Sequence, residues 1–472
     1  MRNLLLIPAL ISSLLSFGQH PAKTATSLAL QNIIQDAGLT NGSLSFLAVN
    51  LDNGKVISDH YGSKSMVPAS IQKVITTAVA IENLGPNFQF ETIIAADANK
   101  ESGLIQGDLY VFGSGDPTLQ SSHYTPEKSP LIRVQEALKP YAGFNGNLII
   151  DASIFNEYTS PRGWIWEDMG NYFGAAPTAI MWEDNLLEVY LNSGQAGSRV
   201  MLSPKTEKTN YKIDVQVKAA ESNRDDAWFF SAPGSDVIYA TGTIPAHKSN
   251  FKVKASHPDP MKNFGFDVLN AIGQTNKEVR IDYDYVEHGG LKPLLTLNSP
   301  PLYSIVRITN MHSINLYAEA LNIQLDSAKR YKTVEGGIAA TERYLKSQKI
   351  GLKGTRLMDG SGLSPLNRMT CQTMVDVLTM MYRSKNKDAF MNSLPVAGQS
   401  GTIAGYFKGT KLEGNLKAKS GTMTGVRNYT GYFTNKDGHT IAFCIMMNDY
   451  DENKKSELMK KIEELLLAII EA

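Results

Sequence analysis

Apolar positions along the chain switch between two periods. Residues 27–37 and 70–84 carry them at helical spacing, and the second run stops at Gly85-Pro86, a pair that ends helices. Residues 43–51 and 55–58 alternate in the two-residue rhythm of strands, and the Asp52-Asn-Gly54 turn between them predicts a hairpin. Towards the other terminus, residues 415–421, 428–434 and 439–447 read as three strands, the last two joined by an Asn435-Lys-Asp-Gly438 turn into a meander. The final helix, 456–470, sets Leu458, Ile462, Leu465, Leu466 and Ile469 on one face. The simplest assembly is an antiparallel sheet flanked by N- and C-terminal helices. Between these ends lie further strand signals at 105–112, 146–151, 186–192, 212–218 and 279–285, which predict one or two mainly β units inserted into the host.

Composition narrows the class. With 472 residues, 42% of them hydrophobic and 19% charged, the chain can bury more than one core. Lys plus Arg equals Asp plus Glu at 46 each, so no overall field draws it to nucleic acid or acidic lipid. Met1-Arg-Asn3 followed by an apolar run to Phe17 has the form of a secretory signal and is short for a membrane span. The leader is placed at 1–22, with cleavage between Gly18 and Ala25. Cys371 and Cys444 are the only cysteines, too few for a disulfide framework, and Cys444 sits in a buried-strand pattern as a packed thiol.

Three short motifs stand in order: Ser70-Ile-Gln-Lys73, Ser313-Ile-Asn315 and Lys419-Ser-Gly421. Ser-x-x-Lys recurs at Ser249-Asn-Phe-Lys252 and Ser384-Lys-Asn-Lys387, but only Ser70 opens a well-formed helix, whose N-terminus favours a developing alkoxide. A spacing of three puts Lys73 on the same face as Ser70. Ser313 precedes a helical run from Leu316 to Asn322, so it and Asn315 can point from a helix edge into a cleft, and neighbouring His312 reads as structural. Lys419-Ser-Gly421 is the only Lys-Ser/Thr-Gly in the chain. It is placed at a strand end, where an ammonium and a hydroxyl can grip a carboxylate and glycine lets a substrate backbone approach. In this order the three sets describe an acyl-serine enzyme whose protons are managed by lysines. The first two motifs are 243 positions apart and the last two 106, so most of the first interval is inserted structure.

These residues resemble the low-molecular-mass class C penicillin-binding proteins, the D-alanyl-D-alanine carboxypeptidase/endopeptidase family. The resemblance extends through Phe112-Gly-Ser-Gly-Asp-Pro-Thr118, Asp151-Ala-Ser-Ile-Phe155, Gly163-Trp-Ile-Trp166, Asp359-Gly-Ser-Gly-Leu-Ser364 with Asn367-Arg368, and Leu394-Pro-Val-Ala-Gly398. It implies an α+β fold, a penicillin-binding/β-lactamase-like transpeptidase domain at 23–87 and 293–472. An inserted second domain follows at 88–190 and 268–292, with a third nested at 191–267. By the same resemblance Ser70 is the nucleophile, Lys73 its base, Ser313 the proton relay and Asn315 the holder of Lys73. Lys419, Ser420, Gly421 and Thr422 bind the terminal carboxylate and complete the oxyanion hole, while Asp151, Arg368 and Met423 read the diamino acid side chain. The implied substrates are peptidoglycan stem peptides ending in D-Ala-D-Ala, with β-lactams as inhibitors and neither cofactor nor metal. The implied location is the periplasm, with peripheral envelope association. Two positions depart from the family: Ser420 stands where threonine is usual, keeping the hydroxyl, and Ser400 where an acid is usual. Glu188-Val-Tyr-Leu-Asn192 has the Glu-x-x-Leu-Asn form of a class A β-lactamase deacylating loop, yet it precedes the Ser-x-Asn motif and alternates like a strand. The rival readings are a serine β-lactamase and a catalytically silent wall-binding or sensory module.

Overall fold

The computed structural model describes residues 24–99, 103–206, 211–285 and 289–472. The expected leader at 1–22 lies outside them. Both chain ends build one five-stranded antiparallel sheet, in the order Lys417–Met423, Val426–Thr434, Thr440–Asn448, Ser43–Asn50, Val56–His60. Strand alternation feeds two cores. On Thr440–Asn448, Ile441, Phe443, Ile445 and Met447 pack with Leu30 and Ile33 of helix Ala25–Ile34 and with Leu458, Ile462 and Leu466 of helix Lys455–Ile470. Ala442, Cys444 and Met446 of the same strand face the opposite core, built on helices Lys73–Leu84, Leu302–His312, Asn315–Gln324 and Cys371–Arg383. A strand buried on both faces reads as a continuous apolar run, and each large aliphatic it buries contributes about 1.5–3 kcal/mol. Cys371 and Cys444 are both buried free thiols. Burial and the adjacent Cys371 push the Cys444 thiol well up.

The inserted segment forms a mixed sheet in the order Val279–Asp282, Leu148–Asp151, Leu104–Phe112, Glu91–Asn99, Lys292–Asn298. Its core is closed by helices Pro130–Leu138 and Pro260–Ala271 through Val134, Phe264 and Val268. Within it, a three-stranded sheet (Phe251–Ser256, Leu186–Asn192, Met201–Leu202) shares a core with strands Asp226–Phe230, Val237–Pro245, Lys212–Val215 and Lys218–Ala220. Two limits differ from expectation. Lys292–Asn298 pairs with Glu91–Asn99, so the chain leaves the inserted sheet after Asn298 and not near 293. Leu186–Asn192 pairs with Phe251–Ser256, which draws the nested sheet's start back from 191. The expected strand 212–218 is two strands, both hydrogen-bonded to Val237–Pro245.

Candidate active site

Ser70 does not begin an α-helix. It lies in a short 3₁₀ turn, Ala69–Gln72, entered through Ala69 at φ 47° and followed by the α-helix Lys73–Leu84. The turn is held from below by the sheet: Asn428 Nδ2 donates to the carbonyls of Val67 (2.9 Å) and Pro68 (2.8 Å). The three-residue spacing still brings Lys73 Nζ to 3.0 Å from Ser70 Oγ. Lys73 is fully buried and also donates to Asn315 Oδ1 (2.6 Å) and to the Ser361 carbonyl (2.7 Å). Three acceptors occupy the three protons of an ammonium. Loss of one proton leaves two N–H groups for Asn315 and Ser361 and a lone pair for the Ser70 hydroxyl, which then donates. Burial brings Lys73 down to about 7, against the opposing pull of Asp359 and Glu319.

Those two acids also organise the loop behind Lys73. Glu319 accepts the backbone N–H groups of Gly360 (2.9 Å) and Ser361 (2.7 Å), and burial with Asp359 nearby pushes its carboxyl up to about 8. Asp359 Oδ1 accepts from Gln72, Gly362 and Asn367, and its Oδ2 accepts from Trp164 Nε1 (3.0 Å) and the Ser364 N–H (2.6 Å). The loop that presents the Ser361 carbonyl is thus clamped on both carboxylates.

Ser313 is the left-handed residue (φ 60°) that closes helix Leu302–His312, and Asn315 opens the next helix. This sharp corner aims both side chains the same way. Lys419 Nζ donates to Ser313 Oγ (2.9 Å) and to the Ser420 carbonyl (2.6 Å). Burial, then the charges of Lys73 and Arg427, push Lys419 well below the usual lysine range. Asn315 Nδ2 donates to the carbonyl of Phe173 (2.8 Å), so the inserted segment reaches the site. His312 is exposed and packs against His123 with ring centres 5.0 Å apart.

Lys419, Ser420 and Gly421 lie within the edge strand, which runs on to Met423 instead of ending at Gly421. A Cβ on Gly421 would sit 2.7 Å from the Pro68 carbonyl oxygen, 2.9 Å from the Ile71 nitrogen and 3.1 Å from the Ser70 nitrogen. The glycine is therefore demanded by the Ser70 turn pressed against it. Ser420 Oγ donates to Thr402 Oγ1 (2.8 Å). Ser400 stands just before the Gly401–Ile403 turn that carries Thr402; its hydroxyl makes no capping bond to that turn and instead accepts the Val396 N–H (3.1 Å). Thr422 is exposed and Met423 half-buried.

Asp151 closes strand Leu148–Asp151 and is buried. Its Oδ1 accepts the Ser153 N–H, and its Oδ2 has no hydrogen-bond partner and lies 3.9 Å from Arg330. Half-buried Arg368 donates to the carbonyls of Pro365 (2.8 Å) and Asn367 (2.7 Å). Neither touches the Ser70 cluster through a hydrogen bond among the described residues. Glu188 projects from a strand of the nested sheet and pairs with Lys252 at 2.8 Å, in the setting of a plain strand residue. A cavity of about 750 Å³ lies apart from the lysine cluster, bordered by Glu188, Lys205, Lys254 and His257. No group of three or more metal-ligating side chains is assembled among the described residues.

Side-chain motifs missed Ser361, Glu319, Asp359, Phe173, Thr402 and Asn428. Asp359 and Ser361 belong to a segment quoted for its resemblance alone, and Phe173 contributes only a backbone carbonyl.

Over 95% of its length the chain is 28% identical to the D-alanyl-D-alanine carboxypeptidase DacB of Haemophilus influenzae, covering 94% of that protein. It is 27% identical to a D-alanyl-D-alanine carboxypeptidase of an Actinomadura species, over 95% of this chain and 86% of the relative. The crystal structure of penicillin binding protein 4 (dacB) from Haemophilus influenzae superimposes with a TM-score of 0.81, at 25% identity, over 94% of this chain and 99% of that one. Matched from residue 26 to residue 469, the chain belongs to the D-Ala-D-Ala carboxypeptidase 3 (S13) family.

Proposed function

We propose that this protein is an exported serine D-alanyl-D-alanine carboxypeptidase, acting also as an endopeptidase where the same bond type lies in a cross-link. Its substrates are peptidoglycan stem peptides, its intermediate is acyl-Ser70, and penicillins inhibit it by acylating the same hydroxyl. The observation that carries the reading is the pairing of two buried lysines with two hydroxyls, Lys73 with Ser70 and Lys419 with Ser313.

Neutral Lys73 takes the Ser70 proton as Oγ attacks the carbonyl of the penultimate D-alanine. The oxyanion is met by the backbone N–H groups of Ser70 and Thr422, each such donor supplying roughly 3 kcal/mol in comparable acyl transfers. As the C–N bond breaks, the proton that Lys73 took passes on through Ser313, whose hydroxyl gives its own proton to the leaving amine and accepts that one, with Lys419 2.9 Å behind it to orient the hydroxyl. Lys419, Ser420 and Thr422 hold the terminal carboxylate, and Asn315 holds Lys73. Water then attacks the acyl ester, giving a proton to neutral Lys73, which passes it to Ser70 Oγ as the ester bond breaks. Asp151, Arg368 and Met423 are the proposed readers of the diamino acid. The proposed setting is the periplasm, with peripheral association to the envelope. No helix among the described residues is long and apolar enough to cross a membrane.

The test combines D-alanine release from pentapeptides and cross-linked wall peptides with mass spectrometry of a penicillin adduct, using Ser70→Ala as control. Expected are D-alanine release and a long-lived adduct on Ser70, both absent in the control. Rapid turnover of the penicillin would make the protein a β-lactamase. An inert protein whose Ser70→Ala variant kept its cellular role would make it a silent module.

A further inference from the structure

Arg427 is a buried cation. It sits on Val426–Thr434, directly across from Thr422 of the edge strand, and is 6% exposed. Its Nη1 donates to Thr422 Oγ1 (2.7 Å) and its Nε to the Tyr429 hydroxyl (2.7 Å). The guanidinium carbon lies 5.1 Å from the ring centres of both Tyr406 and Tyr429. No carboxylate forms an ion pair with it among the described residues. Burial pushes the Tyr429 phenol up, so that ring stays neutral and supplies no countercharge. A desolvated guanidinium is costly unless an anion meets it.

The direction of one hydrogen bond shows where the anion belongs. Arginine only donates, so the Thr422 oxygen is the acceptor and its single proton is free to be donated elsewhere. Thr422 is exposed, on the same strand as Lys419 and Ser420. A hydroxyl polarised by a cation behind it is a stronger donor to a carboxylate in front.

We infer that Arg427 is a specificity-determining residue for the substrate's terminal carboxylate, acting through Thr422 as the second cation of that subsite beside Lys419. The inference rests on the carboxypeptidase reading proposed above. It predicts that the enzyme separates a free C-terminal carboxylate from its amide largely through this relay.

The experiment measures kcat and KM for an acyl-D-Ala-D-Ala peptide and its C-terminal amide, in the parent, Arg427→Gln, Arg427→Lys and Thr422→Val. Expected for Arg427→Gln is a KM for the acid raised by roughly tenfold or more, kcat changed less, and the acid-to-amide preference reduced by a similar factor. Arg427→Lys keeps the charge and recovers part of the preference. Adding Arg427→Gln to Thr422→Val costs nothing further if the two act as one relay. An unchanged acid-to-amide ratio in a folded Arg427 variant overturns the inference, since an arginine that only braces the strands alters stability and not this ratio. Should both Arg427 variants fail to fold, Thr422→Val decides: retention of the parent preference overturns the relay. A parent inert towards both peptides instead defeats the carboxypeptidase reading.

Discussion

Replacing Gly421 by alanine adds one methyl group where the Ser70 turn meets the edge strand. Gly421 does not have the left-handed φ that only glycine tolerates, so the backbone accepts alanine and the effect is one of space. Ordinary contact begins near 3.4 Å, and the new Cβ would lie 2.7 Å from the Pro68 oxygen, so that carbonyl must retreat by about 0.7 Å. It cannot retreat alone, because Asn428 holds both Pro68 and Val67. The whole Ser70 turn therefore moves, and with it the 3.0 Å approach of Ser70 Oγ to Lys73. Displacements near 1 Å cost on the order of 100-fold in positioned reactions, so acylation should slow by roughly 10- to 100-fold. Overpacking of this kind costs about 1–3 kcal/mol of stability. Stopped-flow acylation by a chromogenic β-lactam gives the rate, and a denaturant titration the stability. An acylation rate within about twofold of the parent, with stability unchanged, would refute the argument that this contact sets the nucleophile.

Two further outcomes follow from the charges. If acylation needs neutral Lys73, as proposed, kcat/KM should rise with unit slope below about pH 7 and level off above it, the midpoint belonging jointly to Lys73 and the carboxyl of Glu319; a flat profile across this range would count against Lys73 as base. The folded pKa is below the unfolded one, so the unfolded chain holds more protons between about 7 and 10.5, and this group makes stability rise with pH there, as pH-dependent denaturant titrations will register. Glu188→Gln should leave D-alanine release and acyl-enzyme lifetime unchanged, because it touches only an exposed ion pair with Lys252 and an exposed hydrogen bond from the Tyr190 hydroxyl; a lengthened lifetime would restore Glu188 as a deacylating residue.

How much of this site was readable depended on which atoms do the work. Ser70 and Lys73 are three residues apart on one turn, and Lys419 belongs to a tripeptide unique in the chain, so side-chain identity and local spacing suffice. Backbone groups leave no such trace. The Ser361 carbonyl that Lys73 grips is 288 positions away, and the Phe173 carbonyl that steadies Asn315 is 142 away. Gly421 was visible as a glycine but for another reason, because the turn that needs it approaches only in the folded chain. The sheet was legible from alternation at both termini. Its helical entry was not, since Ala69 adopts a left-handed φ that no pattern of apolar spacing encodes. Arg427, the one charged residue of its strand, gains meaning only from its cross-strand partner Thr422.

The insertion's grip on the lysine cluster has a consequence for how such a protein can change over generations. Phe173 braces Asn315, Trp164 braces Asp359, and Ser121 receives the Tyr317 hydroxyl at 2.7 Å. A lineage that shed the insertion would keep the three lysine and serine motifs and still lose the carbonyl that steadies Asn315, and through it the seat of Lys73. The guest and its host are inherited as one working part, and recombination that swaps either alone carries a catalytic penalty from the first generation.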